Sequence, residues 1–210
     1  MAKLLLFGAT GGVGRPLMER ALADGHEVTA VVRVPSKLTF EHESLRVLAG
    51  DVTDPECVLE VAKGHDAVLC ALGTGGTGRT TLFSTAATTV SAAMETHGIR
   101  RLVFLSNFGV LGEAAPDIRL AVVMPLLRIK IWPLLRDHAA AIEEIRRHDL
   151  DWTFVRPVLL TNGRRTGRYR VVAEGLPRGG LTISRADVAD FMLQQVGSVE
   201  YVGLLPAIAY

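Results

Sequence analysis

Gly8, Gly11 and Gly14 stand in the run Gly8-Ala9-Thr10-Gly11-Gly12-Val13-Gly14, directly after the short apolar stretch Leu4 to Phe7. Glycine has no side chain to pack, so three at this spacing serve backbone geometry. The first allows a tight turn off a strand, and the second lets a phosphorylated ligand approach the main chain. The third lets the following helix lie close to the sheet. Free amides and the positive end of a helix then surround one point, which suits a diphosphate. Thr10, Gly12 and Val13 belong to the same turn. Val13, Leu17, Met18, Ala21 and Leu22 follow as a one-sided apolar stripe, the mark of a helix on a sheet.

A second strand is expected from Glu27 to Val32, and the residues just beyond its end bear on the ligand. An acidic residue about twenty positions after the glycines would hold a ribose 2′-hydroxyl. The stretch Val31 to Lys37 contains no carboxylate; Arg33 stands nineteen residues after Gly14, and Lys37 is close behind. A guanidinium holds phosphate through paired hydrogen bonds, whereas an aspartate would repel it. These residues point to NADP(H) over NAD(H). Asp51 and Val52, after the third strand, suit the adenine edge, with a simple turn residue as the other reading of Asp51. Leu72, Gly73 and Thr74 open a glycine-rich loop at the same sheet edge. Such a stretch suits close passage of ribose and diphosphate, and it suits a mobile loop equally well.

The elements that must position these residues alternate along the chain. Strands are expected at Leu45 to Ala49, Ala67 to Ala71, Arg101 to Leu105, Trp152 to Val155 and Tyr201 to Leu205. Asp54-Pro55 starts a helix with an aspartate cap and proline at the first position. A longer helix runs from about Thr81 to His97 and closes at Gly98; His138 to Arg147 is another. Ser184 to Asp187 fits a capping box, with Val188, Phe191, Met192 and Gln195 at helical spacing. Strand–helix alternation implies an α/β fold: a Rossmann-like, doubly wound parallel sheet in a single domain over 1–210. The substrate region would come from about 106–136 and 157–183.

Composition narrows the partners. With 210 residues and 49% hydrophobic content, the chain can bury one good core. Net charge +1 argues for neither nucleic acid nor a membrane surface. Arg164, Arg165, Arg168 and Arg170 form one local cluster, expected as a solvated loop. Cys57 and Cys70 lack metal-ligand spacing and read as buried thiols of a reducing compartment; no metal site is expected. Leu120 to Leu135 is apolar, but Pro125, Arg128, Lys130 and Pro133 interrupt it. A cytoplasmic protein, monomer or homodimer, is the plain expectation.

The ordered set of motifs resembles the atypical short-chain dehydrogenase/reductase group. It is most similar to the biliverdin-IXβ reductase/flavin reductase branch, beside the NmrA-like NAD(P)-binding proteins. The likeness rests on GATGGVG at 8–14, VVRVPSKL at 31–38, GDV at 50–52 and ALGT at 71–74. It continues through AAMETHG at 92–98, LSN at 105–107 and FVRP at 154–157. The resemblance implies NADP binding by Gly8, Thr10, Gly11, Val13, Arg33, Lys37, Asp51 and Val52, with Leu72, Gly73 and Thr74 near the ribose. The branch's strand-end Thr-Ser pair falls on Ser106-Asn107. Its Pro-Pro-His segment becomes Pro157-Val158-Leu159, which removes a histidine from the pocket rim.

Ordinary ketone reductases of this superfamily place a tyrosine four residues before a lysine, to protonate the nascent alkoxide. Tyr169, Tyr201 and Tyr210 have no lysine at that spacing. A conjugated acceptor such as a flavin, bilin or quinone spreads the incoming electron pair and can take its proton from solvent. The absent dyad therefore points to such a small-molecule substrate, or to NADP sensing without turnover, or to a biosynthetic tailoring reductase or isomerase. Ser106 and Asn107, at a strand end where ligands gather, would position nicotinamide or substrate, or satisfy backbone groups. By resemblance His138 would relay a proton or serve structurally, and main chain near Pro157 would meet the nicotinamide carboxamide. Apolar positions from Val110 to Leu135, with Met124 and Trp132, would line the substrate pocket, form a partner surface or complete the core.

Overall fold

A computed structural model describes residues 1–76, 78–111 and 118–210, with the side chains of 118–130 outside that description. Met124, one of the residues weighed for a pocket, lies among the latter. Strands and helices alternate through the first three-quarters of the chain: β1 (Lys3–Phe7), α1 (Gly14–Ala23), β2 (Glu27–Val32), β3 (Leu45–Ala49), α2 (Pro55–Ala62), β4 (Ala67–Cys70), α3 (Leu82–His97), β5 (Arg101–Leu105), α4 (Ile118–Ile145) and β6 (Asp151–Pro157). Then come β7 (Leu159–Thr161), β8 (Arg170–Val172), β9 (Thr182–Ser184), α5 (Arg185–Gln194) and β10 (Ala207–Ala209). The main sheet runs β3-β2-β1-β4-β5-β6-β10-β8, and β7 pairs with β9 beside it. Every pairing in the main sheet is parallel except β10 with β8. The order reverses between β1 and β4, which opens a crevice at their carboxyl ends.

Both sheet faces are covered, as the near-continuous apolar strands require. In β1, Leu4 and Leu6 pack toward α1 and α5 with Leu17, Met18, Val188 and Met192. Leu5 and Phe7 face the other way, toward Phe83, Val90, Met94 and Ile142. Asp54 caps α2 as its position predicts: Oδ1 accepts the amides of Glu56 and Cys57 at 3.0 and 3.3 Å. Gly98 closes α3 in the left-handed region, at φ 68°.

The cap of α3 comes from elsewhere. Thr81 makes no side-chain capping bond; Asp137 accepts the Phe83 and Ser84 amides at 2.9 and 3.1 Å, and the Ser84 hydroxyl at 2.5 Å. Two expectations need correction. The final strand is Ala207–Ala209, because 201–203 is turn and the Tyr201 carbonyl is taken by the Thr153 hydroxyl at 2.8 Å. Helix α4 begins at Ile118, well before the expected start at His138, and continues through Pro133, where burial of Ile131, Leu135 and Ile142 against the core outweighs one missing helical bond. Among the described residues, no helix is long and apolar enough to cross a membrane.

All four arginines of the cluster are exposed, as expected, although Arg170 stands in β8 rather than in a loop. Arg165 pairs with buried Asp190 at 2.5 Å, and Arg170 donates to the carbonyls of Arg178 and Tyr210. Cys70 is fully buried, with its thiol pushed far up in pKa by burial, whereas Cys57 is only partly covered.

Candidate functional site

The glycine turn is built by two close approaches. Gly8 sits at φ 87°, and a Cβ there would stand 2.4 Å from the Ala71 carbonyl oxygen, at the end of β4. A Cβ on Gly14 would stand 1.9 Å from the Gly8 carbonyl oxygen, so α1 can begin only on a glycine. The Gly11 amide closes the turn onto the Gly8 carbonyl at 2.9 Å, and Arg15 donates to the Gly11 carbonyl at 3.0 Å. The amides of Gly12 and Val13 have no backbone partner among the described residues. Unpartnered amides at the start of a ten-residue helix suit an anion.

This turn forms one wall of a cleft of about 810 Å³ along the carboxyl edge of the sheet. The residues singled out from the sequence gather there in large part. Gly8, Thr10, Gly11, Gly12 and Val13 line it, as do Arg33, Asp51, Val52, Leu72, Gly73 and Thr74. Gly14 supports the turn from beneath. Arg33 is exposed at the end of β2; Lys37, in a short 3-10 turn at Pro35–Lys37, is exposed and does not line the cleft. Asp51 Oδ1 accepts the Thr53 amide at 2.9 Å and the Thr53 hydroxyl at 2.8 Å. The Thr53 amide bond chiefly holds the Asp51 carboxyl below its ordinary pKa, against the effect of burial, with the Thr53 hydroxyl and the Arg33 charge assisting. The Val52 carbonyl is fixed by the Thr89 hydroxyl at 2.6 Å. The cleft edge beyond β2 and β3 thus offers a fixed carboxylate beside the exposed Arg33 cation.

The residues considered for chemistry lie deeper. Ser106 is buried, its amide bonded to the Val155 carbonyl at 2.8 Å and its hydroxyl 3.5 Å from His138 Nδ1. Asn107 Oδ1 accepts the Gly109 amide at 3.1 Å, which organises the turn after β5. His138 is 4% exposed and stacks on Phe83, with burial lowering its pKa to about 4 against the opposing pull of Asp137. None of these three lines the cleft. Pro157 is buried in β6 opposite Ile208, and the chain beyond it reaches the cleft through Leu160 of β7. Arg156 is fully buried, its guanidinium donating to the Leu205 and Gly175 carbonyls at 2.6 and 3.3 Å.

Several cleft residues have no counterpart in the sequence reading. Thr53, Thr80, Leu82, Leu105 and Leu160 line it, and so does Arg185 from the first position of α5. The Ser184 capping signal located that helix start; its meeting with Gly12 depends on β9 and α5 folding back over the sheet edge. Only half of the box forms. Ser184 Oγ accepts the Asp187 amide at 3.0 Å, while the Ser184 amide donates to the Tyr210 hydroxyl at 3.1 Å.

Comparison with known proteins agrees with this geometry. The profile of a family described as NAD(P)H-binding matches residues 8–198. YwnB of Bacillus subtilis is 26% identical over 205 residues, covering 95% of this chain and 94% of its own. A (4-alkanoyl-5-oxo-2,5-dihydrofuran-3-yl)methyl phosphate reductase of Streptomyces griseus is 30% identical over 154 residues, 73% of this chain. This chain's match spans only 46% of that enzyme's length, and the isoflavone reductase homologue A622 of Nicotiana is likewise matched over 43% of its length. The anaerobilin reductase ChuY from Escherichia coli O157:H7 superposes with TM-score 0.81 at 23% identity, over 99% of this chain and 96% of its own. That last likeness speaks to the fold.

Proposed function

The chain belongs to the NAD(P)H-binding family, and from that premise we propose that it is an NADPH-dependent reductase of a planar conjugated acceptor. Flavin, bilin and quinone types fit the reading. The observation that carries it is the pairing, within one cleft, of the glycine turn and Arg33 with an apolar far end.

Gly12 and Val13 offer their amides to the diphosphate, and Arg33 offers its guanidinium to the 2′-phosphate. Asp51, kept ionised by Thr53, accepts from the adenine amino edge. Leu82, Leu105 and Leu160 form apolar walls toward the end of the cleft where a nicotinamide would point, and such walls exclude water. When bound, NADPH supplies a hydride from its nicotinamide ring. The accompanying proton comes from solvent, because no tyrosine, lysine, histidine or cysteine lines the cleft among the described residues. An isolated ketone would become a basic alkoxide needing a positioned acid, typically for about 10²–10⁴-fold in rate. A conjugated acceptor delocalises the electron pair instead. The tyrosines support the same reading: Tyr169 and Tyr201 pack on Phe191, and Tyr210 donates to Asp187 at 2.6 Å.

Oxidation of NADPH in the presence of FMN, dichloroindophenol or a quinone tests the proposal. Turnover faster than about 1 s⁻¹ on one of them supports the reductase. NADPH binding with no turnover on any would favour a second reading, an NADP-sensing protein acting through a partner. That no tyrosine, lysine, histidine or cysteine lines the cleft among the described residues is the observation behind that alternative.

A further inference from the structure

Arg185 crosses the glycine turn. A Cβ on Gly12 would come within 2.7 Å of both Cδ and Nε of Arg185, so the side chain rests directly against the main chain of the turn. Its Nη1 donates to Asn162 Oδ1 at 2.6 Å, which tethers the guanidinium at the cleft. Among the described residues no carboxylate pairs with it. Among the described residues the cleft wall carries two cations, Arg33 and Arg185, at separate places: one at the end of β2, the other at Gly12. A single dinucleotide phosphate cannot account for both.

We propose that Arg185 is the cation for the diphosphate bridge, and that Gly12 is glycine partly because a side chain there would displace it. This rests on the reading of the cleft as a dinucleotide site. The two unpartnered amides of Gly12 and Val13 approach the anion from the turn, and the Arg185 guanidinium closes on it from α5. A fork of donors with one amide-oxygen tether keeps most of its hydrogen-bonding capacity for an incoming anion. The assignment separates the arginines by ligand. Arg33 distinguishes a 2′-phosphate from a hydroxyl; Arg185 acts on every dinucleotide alike.

Calorimetric titrations of the whole chain with NADPH, NADH, ADP-ribose and adenosine 2′-monophosphate decide it. In Arg185→Ala the first three should weaken by a common factor of roughly 10–100, while adenosine 2′-monophosphate is unaffected. Arg185→Lys should recover part of the loss, and Asn162→Ala should show a smaller common loss. Unchanged ADP-ribose affinity in Arg185→Ala, with melting as in the parent protein, overturns the proposal. If the acceptor's KM alone then rises, Arg185 serves an anionic group of the substrate instead. Failure of the unaltered protein to bind any of the three dinucleotide ligands overturns this and the cleft's assignment together.

Discussion

His138 lies on the face of Phe83, ring centroids 3.7 Å apart and planes 27° from parallel. The neighbouring Asp137 accepts the Phe83 amide at 2.9 Å, so consecutive residues of α4 hold both the side chain and the backbone at the start of α3. This junction sets where α3 begins, and α3's first turn supplies Leu82 to the cleft. Fold and site meet there.

Burial holds the His138 pKa at about 4, below its ordinary 6.5. The unfolded chain therefore takes up a proton near pH 6.5 that the folded chain refuses until about pH 4. Stability should fall as pH drops through that window, by at most about 1.4 kcal/mol per pH unit from this group, and be flat above it. Thermal melts of parent and His138→Gln across pH 4 to 7 check the sign: the variant should lose this part of the acid sensitivity. A neutral imidazole at pH 7 also carries no proton to donate as a cation, so the pH profile of NADPH oxidation should lack a His138 limb.

Removing the Asp137 carboxylate leaves two helix-start amides without their acceptor. Asp137→Ala should destabilise by about 2 kcal/mol, read as a Tm lower by roughly 4–8 °C for a chain of this size. Dinucleotide affinity per folded molecule should change much less, since the carboxylate is outside the cleft.

Gly14→Ala places a methyl group 1.9 Å from the Gly8 carbonyl oxygen, a main-chain atom that cannot swing aside. The turn must open. NADPH binding should be lost below detection in calorimetry, while Gly197→Ala, outside the cleft and with nothing within 4 Å of its Cβ, should bind as the parent does.

Arg33→Ala should reduce NADPH affinity by one to two powers of ten, the scale of one charged hydrogen bond. NADH affinity should stay close to the parent value. An unchanged NADPH/NADH ratio would remove Arg33 from the 2′-phosphate.

The doubly wound sheet was legible because its central strands are short, near-continuous apolar runs and its helices carry local stop and start residues, as Asp54 and Gly98 illustrate. The cleft was legible where a single stretch of chain makes it: the glycine turn, Arg33, and the pair Asp51-Val52. Its other wall was not. Arg185 and Leu160 reach it through β7 and β9, three-residue strands too short to display an alternation. Asp137 was invisible as a cap for the same kind of reason: it lies 54 residues from the amide it accepts. The start of α4 was read too late, at His138, because the burial of Ile131 and Leu135 that holds its earlier turns is a tertiary effect. The last strand was displaced by a few residues since Tyr201 is apolar in type but faces Phe191 from a turn.

Titration of the purified protein with NADPH and NADH, followed by heat or by nicotinamide fluorescence, tests the central claim most directly. The account predicts saturable one-to-one binding of NADPH, at least about tenfold tighter than NADH. No measurable binding of either would contradict it.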